Sequence, residues 1–401
     1  MKNWKPSARL EKMGSAIFAE VAEWKAEAAR SGWDVIDLGI GSPDQPPSEA
    51  VREALSRAVR DPGVYGYPSS EGSPAFRRAV ADWYAHRFGV MLDPESEVLA
   101  LMGSQDGLAH LAMAVTDPGD VAIVPDPGYP IYQAGLELAG VTPYLLPLTA
   151  ENGFLPDLDG IPADVARRAA FLLCNYPSNP LAATAGLDTF ERLVRFARDN
   201  GVLLVHDAAY SEMAFDGFRP PSVLQVDGAK EVAVEFHSMS KSFNMAGCRI
   251  ALAVGNRDAI RALRTLKSNI DYGVFEAVQQ AAIAAMEEDR KSDHNVSALY
   301  EARRDLLVNG LREAGWDVPT PKATMFLWAP IPDGWTSRQI SREILEAAGV
   351  AVIPGDAFGT KGEGYVRIAL VQPEDRLQEA VERLGRAIAS WREAGRWPAK
   401  R

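Results

Sequence analysis

The sequence predicts an α/β protein, with a three-layer α/β/α large domain around a mostly parallel sheet and a smaller α+β domain beside it. Three observations predict this. From Val98 onward, short apolar runs alternate with helical patterns, as expected for parallel strands whose connections cover both faces of a sheet. The chain has 401 residues. A single core stops growing near ~250 to 300 residues, so a second lobe is required. Hydrophobic residues make up 47% and charged residues 24%, the balance of a packed chain rather than a disordered one.

In chain order, apolar residues recur at helical spacing over residues 7–29 (Leu10, Met13, Ile17, Val21, Trp24). This predicts one amphipathic helix that breaks at Gly32 and packs on the smaller lobe. Residues 35–39 read as a short strand entering the turn Gly39-Ile-Gly41-Ser-Pro-Asp44. The third glycine of a dinucleotide loop is absent there, and Pro43 blocks a continuing helix. Helices over 48–60 and 74–88 flank a glycine-rich loop with Tyr65 and Tyr67, whose rings suit packing as well as ligand binding. Strands follow near 98–102, 121–124, 142–146, 169–173, 202–206, 232–236 and 250–254, with helices over 105–115, 129–139 and 187–199 between them. The remainder reads as helices over 258–266, 274–313, 337–348 and 373–394, with strands near 323–330 and 365–370. The expected division is a large domain over 46–290 and a smaller one built from 1–45 and 291–401.

Composition narrows the function. With 42 basic against 54 acidic residues the net charge is −12, which disfavours nucleic acid and anionic membrane as partners. No segment is apolar and long enough to span a bilayer, and the N-terminus lacks a signal-peptide core, so a cytoplasmic location is expected. The five histidines and two cysteines show no ligand spacing, and no metal site is expected.

In doubly wound sheets ligands bind beyond the carboxyl ends of the strands, so the loops there carry the candidate chemistry. Gly103-Ser104-Gln105-Asp-Gly107 opens a helix directly after a strand and offers free N–H groups to an anion, whether or not Ser104 also caps the helix. Tyr129 stands on the turn Pro127-Gly-Tyr-Pro, and Asn179 on the proline-locked turn after Cys174. Asp207 ends an apolar strand, where a carboxylate is costly unless it faces a cation. Lys241 follows Ser238-Met-Ser240 at another strand end, with Arg249 one to two turns later. A lysine becomes a carbonyl-reactive nucleophile when burial or a nearby cation lowers its pKa. Arg367 lies inside a strand of β-formers.

The segment Ser238-Met-Ser-Lys241 to Arg249, together with the loops above, resembles the Schiff-base lysine region of class I/II aminotransferases of fold type I. These enzymes use pyridoxal 5'-phosphate (PLP). The resemblance runs from about Pro6 to about Ile388 and is strongest to the LL-diaminopimelate and aspartate/alanine aminotransferase-like subgroup, through Lys5-Pro-Ser-Ala-Arg-Leu-Glu11, His206-Asp-Ala-Ala-Tyr210 and Lys267-Ser-Asn-Ile-Asp271. It implies that Lys241 holds PLP and shuttles a proton, that Asp207 faces the ring nitrogen, and that Tyr129 stacks on the ring. By the same resemblance Asn179 and Tyr210 meet the phenolic oxygen, while Gly103, Ser104, Gln105, Ser238 and Arg249 surround the phosphate. Arg367 and the Gly41 amide match the grip on the substrate α-carboxylate. Tyr67 matches a residue reaching the phosphate of the partner subunit, which implies a homodimer. Asn269 and Ser70 stand where a partner's residues meet the distal end of a substrate. Two departures are visible: Leu181-Ala182 stands where the family has Thr-Gly, and Ser70 stands near where the family's diaminopimelate enzymes often have an acid. The implied activity is ping-pong transfer of an amino group between an L-amino acid and a 2-oxo acid. LL-diaminopimelate, aspartate and alanine are the candidate donors and 2-oxoglutarate the candidate acceptor. A PLP-dependent C–S β-lyase and a PLP-binding ligand sensor are the alternatives.

Overall fold

The computed structural model describes residues 4–12, 16–292 and 296–398. A two-residue strand, Ile36–Asp37 (β1), is followed by seven strands of one sheet: Val98–Leu101 (β2), Val121–Asp126 (β3), Thr142–Pro147 (β4), Ala169–Asn175 (β5), Leu203–Asp207 (β6), Ala233–Ser238 (β7) and Ala251–Gly255 (β8). Their order is β2-β8-β7-β6-β5-β3-β4. Only β8 runs antiparallel to its neighbours β2 and β7; the other pairings are parallel.

These strands read as continuous apolar runs because helices cover both faces. On one face Ile123, Leu172, Leu204 and Leu252 pack with Phe76, Trp83 and Phe190. On the other, Val124, Leu173, Val205 and Val234 pack with Leu108, Leu136 and Leu263. A second core forms around Phe326–Pro330 (β9) and Tyr365–Ala369 (β12), which pair antiparallel. Ile353–Pro354 (β11) pairs with the other edge of β12, and Val350–Ala351 (β10) pairs in parallel with β1. Helices Ser297–Ala314 and Glu374–Glu393 close this core through Leu307, Leu311, Leu377, Leu384 and Ile388.

Two expected helices differ in the structure. The first is described as Ala8–Lys12 and Ala16–Arg30, and Met13 lies outside the described residues. Ile17, Val21 and Trp24 are buried against Leu345, Ile353 and Phe358 of the second lobe. Leu10 is exposed instead, at the rim of the large cavity. The long stretch over 274–313 is described as Glu276–Ser292 and Ser297–Ala314, with 293–295 outside the described residues. The two helices serve different cores. Ala281, Ala285 and Met286 of the first join the sheet core, whereas Tyr300, Leu307 and Leu311 of the second join the other.

Candidate active site

The carboxyl ends of β3, β5, β6 and β7 open onto a cavity of about 1080 Å³, closed on the far side by the second lobe and the N-terminal helix. Most of the residues singled out from the sequence line it: Gly41, Ser104, Gln105, Tyr129, Asn179, Asp207, Tyr210, Ser238, Lys241, Arg249 and Arg367.

Asp207 terminates β6 with its carboxylate almost wholly buried. Tyr132 donates its hydroxyl to Oδ2 at 2.8 Å and the Ala209 amide donates to Oδ1 at 3.2 Å. The Asn175 side-chain amide donates to the Asp207 carbonyl at 2.7 Å and accepts the Asn179 amide at 2.8 Å, tying two strand ends together. Burial pushes the Asp207 carboxyl above its usual range despite these donors.

Lys241 sits in the single helical turn Met239–Ser242 that follows β7. Its ammonium donates to the Gly41 carbonyl at 2.6 Å. Burial lowers its pKa from 10.5 to about 8, helped by the positive charges of Arg367 and Arg249. The lysine is thereby partly a free base near neutrality.

Arg249 adopts a left-handed conformation, φ 52°, and donates to the Ala246 carbonyl at 3.0 Å. Its guanidinium lies over Gly103, where a Cβ would stand 2.1 Å from Nη2. Gly103, at φ 88°, is the N-cap of helix Ser104–Val115 and provides no side-chain cap. Ser104 is therefore not the cap residue allowed for in the sequence; it is the first helical residue. The helix start is left open beside an arginine that forms no ion pair among the described residues, a combination that suits an anion.

Arg367 is buried in β12. It donates to Asn179 Oδ1 at 2.8 Å and to the Gly39 carbonyl at 2.7 Å, while its Nε has no partner among the described residues. The rings of Phe326 and Phe358 lie 4.2 Å and 4.7 Å from its guanidinium carbon. Burial lowers its pKa to about 10, so it remains a cation. No carboxylate pairs with it among the described residues, and a buried cation held only by neutral acceptors is an incomplete anion site. Asn179 links it to Tyr210, whose hydroxyl lies 3.5 Å from Asn179 Nδ2. Tyr129 forms one wall of the cavity, with its hydroxyl 3.1 Å from Gln105 Oε1. The turn with the unusual Leu181-Ala182 is well packed: both residues are buried, Ala182 takes φ 53°, and its amide donates to the Ser178 carbonyl at 2.9 Å.

Four expected residues are not among those that line this cavity: Gly103, which lies beneath the Arg249 guanidinium, Ser70, Tyr67 and Asn269. Tyr67 is 88% exposed and rests on Tyr272, and Asn269 donates to the Thr265 carbonyl on its own helix. The sequence reading missed Tyr132, Asn175 and Phe326. Tyr132 stands at the start of helix Ile131–Ala139, three residues after Tyr129 in the turn before it, and the two rings meet at 6.0 Å; that spacing was the available signal. Phe326 had none, because its role comes from the second lobe folding over the first.

Against known proteins, residues 33–384 match the model of the family Aminotransferase class I and II. The chain belongs to that family. It is 52% identical over 376 residues to an LL-diaminopimelate aminotransferase of Desulforudis audaxviator, covering 94% of this chain and 96% of that one. It is 49% identical over 380 residues to one of Moorella thermoacetica, covering 95% and 97%. Among solved structures, apo-BacF of Bacillus subtilis superposes with a TM-score of 0.92 at 37% identity, covering 96% of this chain and 98% of that one. A probable N-succinyldiaminopimelate aminotransferase of Thermus thermophilus superposes with a TM-score of 0.87 at 39% identity, covering 93% and 100%. The protein is thus a PLP-dependent aminotransferase, with amino acids and 2-oxo acids as its substrates. The cavity fits that cofactor. It holds a buried acid and a guanidinium at an open helix start, neither with an ion-pair partner among the described residues, and an amine of lowered pKa.

Proposed function

We propose that the enzyme takes LL-diaminopimelate as amino donor and 2-oxoglutarate as acceptor, in a ping-pong cycle. The relatives at 52% and 49% identity that bear that name support the donor. The observation that carries the site assignment is Arg367, a buried cation on the cavity wall whose Nε is unpartnered among the described residues. It suits the α-carboxylate that every amino acid and 2-oxo acid presents, with Gly41 lining the same cavity.

The remaining roles follow from chemistry. Lys241 would hold the cofactor, with Asp207 at its ring nitrogen, Tyr129 on its face, and Asn179 and Tyr210 at its phenolic oxygen. Gly103, Ser104, Gln105, Ser238 and Arg249 would surround its phosphate. When bound, the cofactor supplies an electron sink for the carbon that loses its proton. Lys241, with its lowered pKa, takes the proton from the substrate Cα and returns it during transfer. Arg367 orients that carbon, and Phe326 and Phe358 keep water from the carboxylate. Tyr67 and Asn269 belong to the partner's site in a homodimer. The large domain spans 46–290, with 1–45 and 291–401 forming the smaller one, and the enzyme works in the cytoplasm.

A donor panel of LL-diaminopimelate, aspartate, alanine and glutamate against 2-oxoglutarate tests the substrate. The expected result is a kcat/KM for LL-diaminopimelate at least about tenfold above the others, ~1.4 kcal/mol of discrimination. A preference for aspartate or alanine would replace it. Release of ammonia and pyruvate without acceptor would point to β-elimination instead. Lys241→Ala is expected to abolish turnover.

A further inference from the structure

On the face of the sheet opposite the cavity lies a polar cluster that the catalytic assignments leave unused. His206 and Glu235 are both 0% exposed. His206 Nδ1 lies 2.7 Å from Glu235 Oε2, and its Nε2 lies 2.9 Å from the Tyr176 carbonyl. Glu235 also accepts the Tyr84 hydroxyl and the Ser222 hydroxyl, both at 2.8 Å, and the Val223 amide at 3.0 Å. A carbonyl only accepts, and a carboxylate that accepts the Tyr84, Ser222 and Val223 donors is held ionised. Each ring nitrogen of His206 thus faces an acceptor, the arrangement that an imidazolium satisfies and a neutral ring does not. Burial of a complete ion pair is costly unless it is fully hydrogen-bonded, as this one is.

The strand alternation directs the consequence. His206 precedes Asp207 on β6, so the cation lies behind the carboxylate that ends the strand at the cavity. We propose that the His206–Glu235 ion pair is a positioning device that holds Asp207 ionised from the far face of the sheet. The other groups around the pair do not compete for this role. His237 is kept neutral, its pKa lowered to about 4 chiefly by burial. Burial pushes the thiol of Cys174, beside His206 in the register, well up, and it stays protonated. The Tyr84 and Tyr176 hydroxyls are likewise raised by burial, Tyr176 donating to the Phe154 carbonyl. Arg87 and Glu212 pair with one another at 3.0 Å. Asp207 itself feels the positive charge of His206, which lowers its pKa against the effect of burial.

The inference rests on the reading of Asp207 as the partner of the cofactor's ring nitrogen, and the experiment separates the two. In wild-type cofactor-free protein labelled with 15N-histidine, His206 is expected to give both ring nitrogens as protonated at pH 7. With 13C-carboxyl aspartate, Asp207 should titrate about one unit higher in His206→Gln and in Glu235→Gln than in wild type. In the holoenzymes both variants should lower kcat about tenfold with the donor KM within about twofold. A neutral His206 in wild type, or an unmoved Asp207 titration in both variants, overturns the proposal. If neither variant folds, the wild-type histidine spectrum decides alone. If Asp207→Asn leaves cofactor absorbance and affinity unchanged while the 15N and 13C results hold, the reading of Asp207 fails and the charge pair stands.

Discussion

At the scale of single residues the site is a set of charges held where water cannot solvate them, and this has a measurable cost. Lys241 is mostly buried beside two arginines, and its pKa falls from 10.5 to about 8. A group whose folded pKa lies below its unfolded value binds fewer protons in the folded state. It opposes folding fully below pH 8, and the penalty disappears as pH rises past 10.5. Lys241→Met should therefore stabilise the cofactor-free protein at pH 7 by ~1–3 kcal/mol, because burying an ammonium near like charges costs about that much. Calorimetry on cofactor-free wild type and variant checks this. The gap in Tm should narrow from pH 8 to pH 10, and an equal or lower Tm for the variant at pH 7 would show that the lysine is not strained electrostatically. The same property makes the residue useful, since an amine half-titrated near 8 can both take and return a proton.

At the scale of elements, the turn between β2 and helix Ser104–Val115 is built around a side chain that is missing. Gly103 at φ 88° lets Arg249 lie against the backbone, and a Cβ there would meet Nη2 at 2.1 Å. Gly103→Ala should displace Arg249 and weaken cofactor binding about 10- to 100-fold, the loss of one charge-assisted hydrogen bond of ~1.5–3 kcal/mol. kcat at saturating cofactor should stay near wild type. Cofactor titration followed by absorbance checks it, and unchanged affinity would remove Arg249 from the anion site. The sequence made this element legible because glycine and proline punctuate strand ends, and the same held for Asp207, which ends a buried strand, and for Asn179 and Lys241, which stand in the turns just past two others. Periodicity did less well where a helix changes partner. Residues 274–313 keep one helical pattern although Met286 faces one core and Tyr300 the other. Tyr132 and Phe326 were not legible as site residues because an apolar ring at helical or strand spacing looks the same whether it packs a core or lines a cavity.

At the scale of the whole molecule, two lobes meet over the cavity, and one face of the large lobe is unfinished. Tyr65, Tyr67, Tyr272 and Phe275 are exposed together, with Tyr67 and Tyr272 in ring contact at 4.9 Å and Tyr65 and Phe275 at 5.6 Å. Clustered exposed aromatics on a folded chain mark a binding surface. Gly273 brings this patch onto the loop of Ser69 and Ser70, since a Cβ at Gly273 would stand 2.3 Å from the Ser69 carbonyl. A second copy of the chain placed across a two-fold axis would bury the patch on both subunits and carry Tyr67 toward the other cavity. Two variants separate that arrangement from a monomeric enzyme. Tyr67→Ala should release cofactor and be nearly inactive at limiting cofactor, and Lys241→Ala should be inactive under all conditions. Unfolded together and refolded at equal concentrations, half of the dimers are hybrids, and each hybrid has one site with both residues intact. The mixture should then recover about a quarter of wild-type activity at limiting cofactor. If Tyr67 served the cavity of its own chain, no hybrid site would be complete and the mixture would stay as inactive as its parents.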